Sequence, residues 1–417
     1  MISGHMSNSS TSFDVQSFRS QFPQLQSQIQ GQDLVYLDSA ATSLKPRRLA
    51  DRLHKYYLNE VANIHRGAHF LSRQGTENYE AVRSQTKKIL NGDKGEIVFT
   101  RGVTESINLL AYSFGFEHLG LGDVILLTPY EHHSNIIPWK ILSENTGCQI
   151  ELLDFDRNGN ITEAALNRAF SKNVKLVSMM LYSNVTGVRL NVEPVLQKAR
   201  SVGALTVIDA AQAMLHETID VQKLDCDFLT FSAHKMFGPF GVGVLYGKSE
   251  IFNELPPFQG GGSMISSLSW TKTVYQDAPF KFEAGTPNIA DVIAFGEALS
   301  MLEEASLENW VQHGKKLGLQ VEQALKSNSR VQLMGPTYAE SRKTDIISFS
   351  YEGAHPSDVG EMLDQMGIAV RAGHLCAQPL MESMGVQGTV RVSLAPYNNE
   401  NDVEKFVNAM EKIKGIL

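Results

Sequence analysis

The sequence predicts an α/β protein, with a large domain built on a mostly parallel sheet flanked by helices and a smaller α+β domain after it. Three observations carry this expectation. A chain of 417 residues is longer than one hydrophobic core can serve, so at least two domains are expected. Between about Glu96 and Gly247, short β-rich runs alternate with amphipathic helical stretches, as a parallel sheet with crossover helices requires. After Gly262 that alternation stops.

Strands are expected at Ile97–Thr100, Val124–Thr128, Leu176–Leu181, Leu205–Asp209 and Phe228–Ser232. The polar residues of interest follow these apolar runs, and functional side chains in such sheets collect beyond the carboxyl ends of the strands. A Gly- and Ser-rich loop, GGGSMISS, leads through FEAGTPN to a long helical stretch from Ile289 to about Lys326, read as the link between domains. A strand at Asp345–Ser350, a helix at Pro356–Met366, strands at Ala369–Arg371 and Thr389–Leu394, and a final helix complete the pattern. The implied division is a tail and helical segment over 1–30 packing on the small domain, a large domain over 31–295, and a small domain over 296–417.

Composition narrows the class. The hydrophobic share of 42% is ordinary for a soluble protein. A net charge of -8 argues against a nucleic-acid partner, because a phosphate backbone needs a basic surface. The 3 cysteines, Cys148, Cys226 and Cys376, are far apart and in no C-x-x-C pair. Neither a disulfide framework nor a cysteine-rich metal site is suggested, and a cytoplasmic, reducing location fits. Met1 to Ser12 carries no signal-peptide pattern, and MISGHM reads as an expression scar ahead of Met6. No run is long enough to span a membrane.

The most informative stretch is FLTFSAHKMFGPFGVGVLY, where a β-run ends at Ser232 and is followed by His234, Lys235 and a glycine-rich turn. A lysine there can form a Schiff base with an aldehyde cofactor, beside a hydroxyl and an imidazole suited to phosphate. Upstream, LTVIDAAQA puts Asp209 at a strand end with Gln212 after it. A carboxylate against the pyridine nitrogen of pyridoxal 5′-phosphate (PLP) would keep that nitrogen protonated; the competing reading is a helix-capping Asp. IVFTRGVTESINLL turns from strand to helix, where free N–H groups attract an anion and Thr104 adds a hydroxyl, unless Thr104 is only a cap. His132 in TPYEHHSNIIPW follows another strand and could stack on the ring, while His133 is read as packing. Asn184 in LYSNVTGV is either a ligand of the phenolic oxygen or a turn former beside Gly187.

In the small domain, VRAGHLCAQPL places Cys376 in a glycine-, histidine- and proline-bounded loop, which points to an exposed thiol rather than the usual buried, inert one. Arg391 in GTVRVSLAPYN could grip a substrate carboxylate. His65 and His69 have helical metal-ligand spacing, yet Gly67 between them and the lack of a third ligand argue against a metal.

Taken together, LDSAATSLKP, HRGAHFLS, TRGVTESINL, EHHSNIIPW, DAAQA, SAHKMFGPFGVG, FEAGTPN and RAGHLCAQPL resemble the class V aminotransferase-like family of fold-type I PLP enzymes, and within it the group II, Suf-type cysteine desulfurases. The resemblance implies that Lys235 carries PLP, Asp209 meets the pyridine nitrogen, and Gln212 and Asn184 bond the phenolic oxygen. It implies that Thr104, Ser232 and His234 hold phosphate, that His132 stacks on the ring, and that Arg391, with Asn184 and Arg371, binds the substrate. Cys376 matches the sulfur acceptor, and Thr286 matches a residue that reaches the partner subunit's cofactor, implying a homodimer. The activity implied is conversion of L-cysteine to L-alanine with a persulfide on Cys376. That sulfur would pass to a SufE- or SufU-type acceptor for iron-sulfur cluster assembly. The chain departs from many members at Leu375, where they carry a second histidine whose imidazole can favour a thiolate. A selenocysteine lyase, another PLP enzyme such as a kynureninase or aminotransferase, and a non-catalytic scaffold are the rival readings; intact Lys235 and Asp209 speak against the scaffold.

Overall fold

The computed structural model describes residues 13–417; the suspected expression scar lies outside the described residues. Seven strands form the main sheet in the order Gly95–Thr100, Gly243–Lys248, Phe228–Ser232, Leu205–Asp209, Val174–Met180, Val124–Leu127 and Gln149–Leu152. Every pairing is parallel except those of Gly243–Lys248, which runs antiparallel to both neighbours. Val124–Leu127 and Phe228–Ser232 are buried along their whole length, and Leu205–Asp209 and Val174–Met180 at all but one residue each, as expected where helices cover both faces. The two strands that the sequence reading did not place have local reasons. Gln149–Leu152 is a half-exposed edge with polar residues, and Gly243–Lys248 sits in the glycine-rich turn region. Gly243 has no room for a side chain: a Cβ there would lie 2.4 Å from the Cα of Gly102.

A second sheet, antiparallel, has the order Val331–Met334, Ile346–Tyr351, Thr389–Ser393, Arg371–Gly373. Its core, including Leu317, Val321, Phe349, Val392 and Phe406, is separate from that of the main sheet. The helices Leu307–Lys326, Pro356–Asp364 and Glu400–Ile416 cover it.

The helical stretch expected over Ile289–Lys326 consists of two helices, Ile289–Glu304 and Leu307–Lys326, with Ala305 and Ser306 extended between them. The first is apolar nearly all round and packs on the helices Arg47–Asn59 and Phe70–Ile89 of the large sheet; the second packs on Glu400–Ile416 beside the small sheet. One straight helix cannot present its buried stripe to two cores in different directions, so the chain breaks. The expected boundary at 295/296 falls inside the first helix. The strand expected at Ala369–Arg371 also divides. Ile368–Ala369 pairs in parallel with Val35–Tyr36, and Arg371–Gly373 joins the small sheet.

The N-terminal helix Val15–Ser20 is capped by Asp14. Phe18 packs against Trp310 and Phe237, with centroids 5.1 and 5.9 Å away, and Arg19 pairs with Asp402 at 2.7 Å. This segment therefore touches elements of both sheets. No helix among the described residues is long and apolar enough to cross a membrane.

Candidate active site

A cavity of about 330 Å³ opens beyond the carboxyl ends of the parallel strands and is closed on one side by the small sheet. Every site residue expected from the sequence lines it, except Thr286. Asp209 ends its strand at the cavity and is buried, its Oδ1 accepting the Ala211 N–H at 2.8 Å. Burial pushes its carboxyl pKa up, opposed by the positive charge of Lys235. Lys235 lies in a short 3-10 turn, Ala233–Lys235, directly after the strand Phe228–Ser232. Burial pushes its amine down to about 8, and the Asp209 charge opposes that fall. A lysine held in this way is a far better nucleophile near neutrality than an exposed one.

The Nδ1 of His132 accepts the Ser134 N–H at 3.1 Å, which leaves Nε2 of the neutral ring as the protonated nitrogen. Burial, reinforced by Lys235, pushes its pKa down to about 3, so the ring is neutral through the working pH range. Just before it, Glu131 is buried and accepts from Thr128 Oγ1, Asn135 Nδ2 and the Met180 N–H at 2.5, 2.7 and 3.0 Å. This carboxyl ties together the ends of two parallel strands and so fixes the loop that carries His132.

At the far end of the cavity the helix Val103–Leu110 begins after Gly102. The Val103 N–H donates to Ser232 Oγ at 3.0 Å, and Thr104 is exposed at the rim. His234 stacks on Phe240 with 5.6 Å between centroids; its carbonyl accepts from Lys45 Nζ at 2.8 Å. Burial pushes the His234 imidazole down to about 4.

Arg391 is buried and donates to the Asn184 carbonyl at 2.9 Å and to Asp38 Oδ1 at 3.2 Å. Arg371, half-exposed, grips the other oxygen of Asp38 at 2.6 Å. Two guanidinium groups thus share one carboxylate and leave net positive charge at the cavity wall, the condition for binding a carboxylate. Asp38 reaches this place because it bridges in parallel to Ser393 on the strand that carries Arg391.

The Cys376 loop closes the cavity from the small sheet. Cys376 is exposed, whereas Cys148 and Cys226 are buried. Leu375 is buried against the core, and both Leu375 and Cys376 have φ +54°, the left-handed region. Asn184 Nδ2 donates to the Leu375 carbonyl at 2.9 Å, and Gln212 Nε2 to the Ala40 carbonyl at 2.8 Å.

Thr286 is exposed and lies outside the cavity of its own chain. Its loop is anchored by Glu283, which pairs with the buried Arg83 at 2.7 Å and accepts the Phe99 N–H. His69 caps the helix Phe70–Ile89, and His65 pairs with Glu80 at 3.1 Å. Asp38, Ser134 and Tyr182 at the site were not expected from the sequence. The Asp38 signal was available in LDSAATSLKP, an acidic residue directly after an apolar run, but its partners are more than three hundred residues away in the chain.

A lysine facing a carboxylate, at the strand ends of a mostly parallel sheet with a small domain closing over it, is the fold-type I architecture of PLP-dependent enzymes. The chain belongs to the aminotransferase class-V family, whose sequence pattern matches residues 35–406. It is 40% identical over 405 residues to a probable cysteine desulfurase of Vibrio cholerae, covering 97% of this chain and 99% of that one. It is likewise 40% identical to a cysteine desulfurase of Pectobacterium carotovorum, covering 97% and 99%. Among solved structures, the cysteine desulfurase CsdA (S-sulfonic acid) from Escherichia coli matches with a TM-score of 0.88 at 36% identity, covering 97% and 99%. The apo cysteine desulfurase from Thermococcus onnurineus NA1 matches with a TM-score of 0.90 at 36% identity, covering 96% and 98%.

Proposed function

We propose that this protein is a PLP-dependent cysteine desulfurase that forms L-alanine from L-cysteine and keeps the sulfur as a persulfide on Cys376. The observation that carries the reading is the meeting, in one cavity, of Lys235, the carboxylate-binding Arg391 and an exposed cysteine on a strained loop. The cavity fits PLP. Three buried polar atoms of its lining lack any partner, Asn184 Oδ1, His234 Nδ1 and Arg391 Nε, and buried polar groups are otherwise nearly always satisfied. The site also offers a carboxylate for a ring nitrogen and a helix N-terminus with Ser232 for a phosphate.

Bound there, PLP supplies an electron sink for charge developing at the substrate's α-carbon. Lys235 would hold the cofactor through its amine, and the same amine, when free, would be the base for the α-proton. Asp209 would keep the pyridine nitrogen protonated, and Asn184 and Gln212 would hold the phenolic side of the ring. His132 covers one face as a neutral imidazole with its proton on Nε2. Arg391 binds the substrate carboxylate, with Arg371 beside it. The Cys376 thiolate attacks the substrate sulfur, forming an S–S bond as the C–S bond breaks; the β-carbon takes up a proton, so cysteine plus thiol becomes alanine plus persulfide. The persulfide then passes to an acceptor of the SufE or SufU type for iron-sulfur cluster assembly. Thr286, on the outer surface of its own chain, serves the neighbouring site of a homodimer.

The test compares alanine formation from L-cysteine, L-selenocysteine and L-kynurenine by the wild type, Lys235→Ala and Cys376→Ser. Turnover of L-cysteine that requires both residues supports the reading. Unchanged alanine production by either variant, or preferred turnover of L-kynurenine, overturns it.

A further inference from the structure

Three contacts from the large sheet's loops hold the segment around the acceptor cysteine, and two of them come from a residue given no chemical role above. The Leu375 carbonyl accepts from Asn184 Nδ2 at 2.9 Å, and the Cys376 carbonyl accepts from the His133 N–H at 2.8 Å. Two residues on, the Gln378 N–H donates to Nε2 of the His133 imidazole at 3.1 Å. That N–H belongs to the first residue of the helix Gln378–Ser383, one of the donors a helix cannot satisfy internally.

The geometry explains why such a clamp is needed. Leu375 and Cys376 are consecutive non-glycine residues at φ +54°, a conformation that is sterically unfavourable for L side chains and persists only where the surroundings impose it. Within the loop, the Ala377 N–H donates to the His374 carbonyl at 2.9 Å, closing a tight turn around the cysteine. The external contacts at residues 375, 376 and 378 bracket that turn on both sides. Because His133 follows His132 directly, the same short helix His133–Asn135 that seats the ring-facing imidazole also seats the loop.

We propose that His133 is a positioning residue for sulfur transfer, whose imidazole accepts the Gln378 N–H and so holds Cys376 in its left-handed conformation facing the cavity. This rests on the desulfurase reading for its catalytic consequence, while the clamp itself does not. His133 touches neither the substrate nor the cofactor in this account. It acts through the backbone on both sides of Cys376.

The test uses the PLP-loaded full chain as wild type, His133→Phe, which keeps an aromatic ring without the acceptor, and His133→Gln, which places an amide oxygen near the Nε2 position. Amide hydrogen exchange of the segment 375–378 reads the clamp, and alanine formation with saturating and limiting L-cysteine reads its consequence. Loss of one hydrogen bond of ordinary net strength speeds exchange about fivefold. His133→Phe should show about that increase, with a comparable fall in kcat and little change in KM, and His133→Gln should recover most of both. Equal exchange in wild type and His133→Phe overturns the clamp. Faster exchange with wild-type kcat overturns its role in the reaction, as does a His133→Gln variant as impaired as His133→Phe. If the wild type itself forms no alanine, the desulfurase reading fails while the exchange comparison still decides the clamp.

Discussion

Replacing Asp38 by Ala tests how the buried Arg391, proposed to bind the substrate carboxylate, is held. Asp38 pairs with Arg371 at 2.6 Å and with Arg391 at 3.2 Å, but the two guanidinium groups are not alike: the Arg371 side chain is 49% exposed and that of Arg391 only 3%. Losing the partner of a half-exposed arginine costs under about 1 kcal/mol. Leaving a buried guanidinium without its counter-charge costs about 3–5 kcal/mol. The second effect dominates, and the carbonyl of Asn184 offsets only part of it. With a urea dependence of about 1–3 kcal/mol per M, the midpoint of unfolding should fall by about 1 M or more. A ligand carboxylate can replace the lost charge, so saturating L-alanine should raise the midpoint of Asp38→Ala more than that of the wild type. Urea titrations of both proteins with and without L-alanine measure this. An unchanged midpoint, or equal stabilisation by L-alanine in the two proteins, would refute the view that Asp38 neutralises Arg391.

Because burial holds Lys235 at about 8, well under the usual lysine value of about 10.4, the neutral amine that attacks an aldehyde increases with pH up to about 8 and then saturates. The rate of PLP capture by cofactor-stripped protein should rise about tenfold per pH unit below 8 and level off above it; a plateau reached only near 10 would contradict the burial argument. Glu283→Gln removes the more buried of the two carboxylates that pair with Arg83, Glu80 remaining at 2.8 Å, and should lower stability by about 2 kcal/mol, read by urea unfolding; an unchanged midpoint would show that Glu80 alone suffices. Light scattering of the active protein should give twice the chain mass; a fully active monomer would remove the cross-subunit role of Thr286.

Most of the end of the cavity proposed for the cofactor was legible in the sequence because its residues sit within a few positions of the end of an apolar run. Asp209 closes its strand, Ser232 ends the next, and Lys235 follows three residues later. In a parallel sheet those positions meet whatever the loops between them do. His133 was legible as a histidine but not as a clamp. Its partner, Gln378, lies 245 residues away, and nothing local distinguishes an imidazole that accepts a backbone N–H from one that merely packs.

Local order therefore determined the class: strand periodicity, the polar residues at strand ends and the glycine-rich turn after Lys235 all follow from steric and hydrophobic rules acting over a few residues. Tertiary structure alone decided three matters. The helix after Asn288 breaks at Ala305 and Ser306 because two cores lie in different directions. The strand Gly243–Lys248 runs antiparallel, since a pairing direction is set by where the chain returns and not by its side chains. The two arginines share the single charge of Asp38, which reaches them through the parallel bridge to Ser393. Each depends on contacts between residues far apart in the chain, and the free energy of such a contact is defined only once folding has brought both partners out of water together.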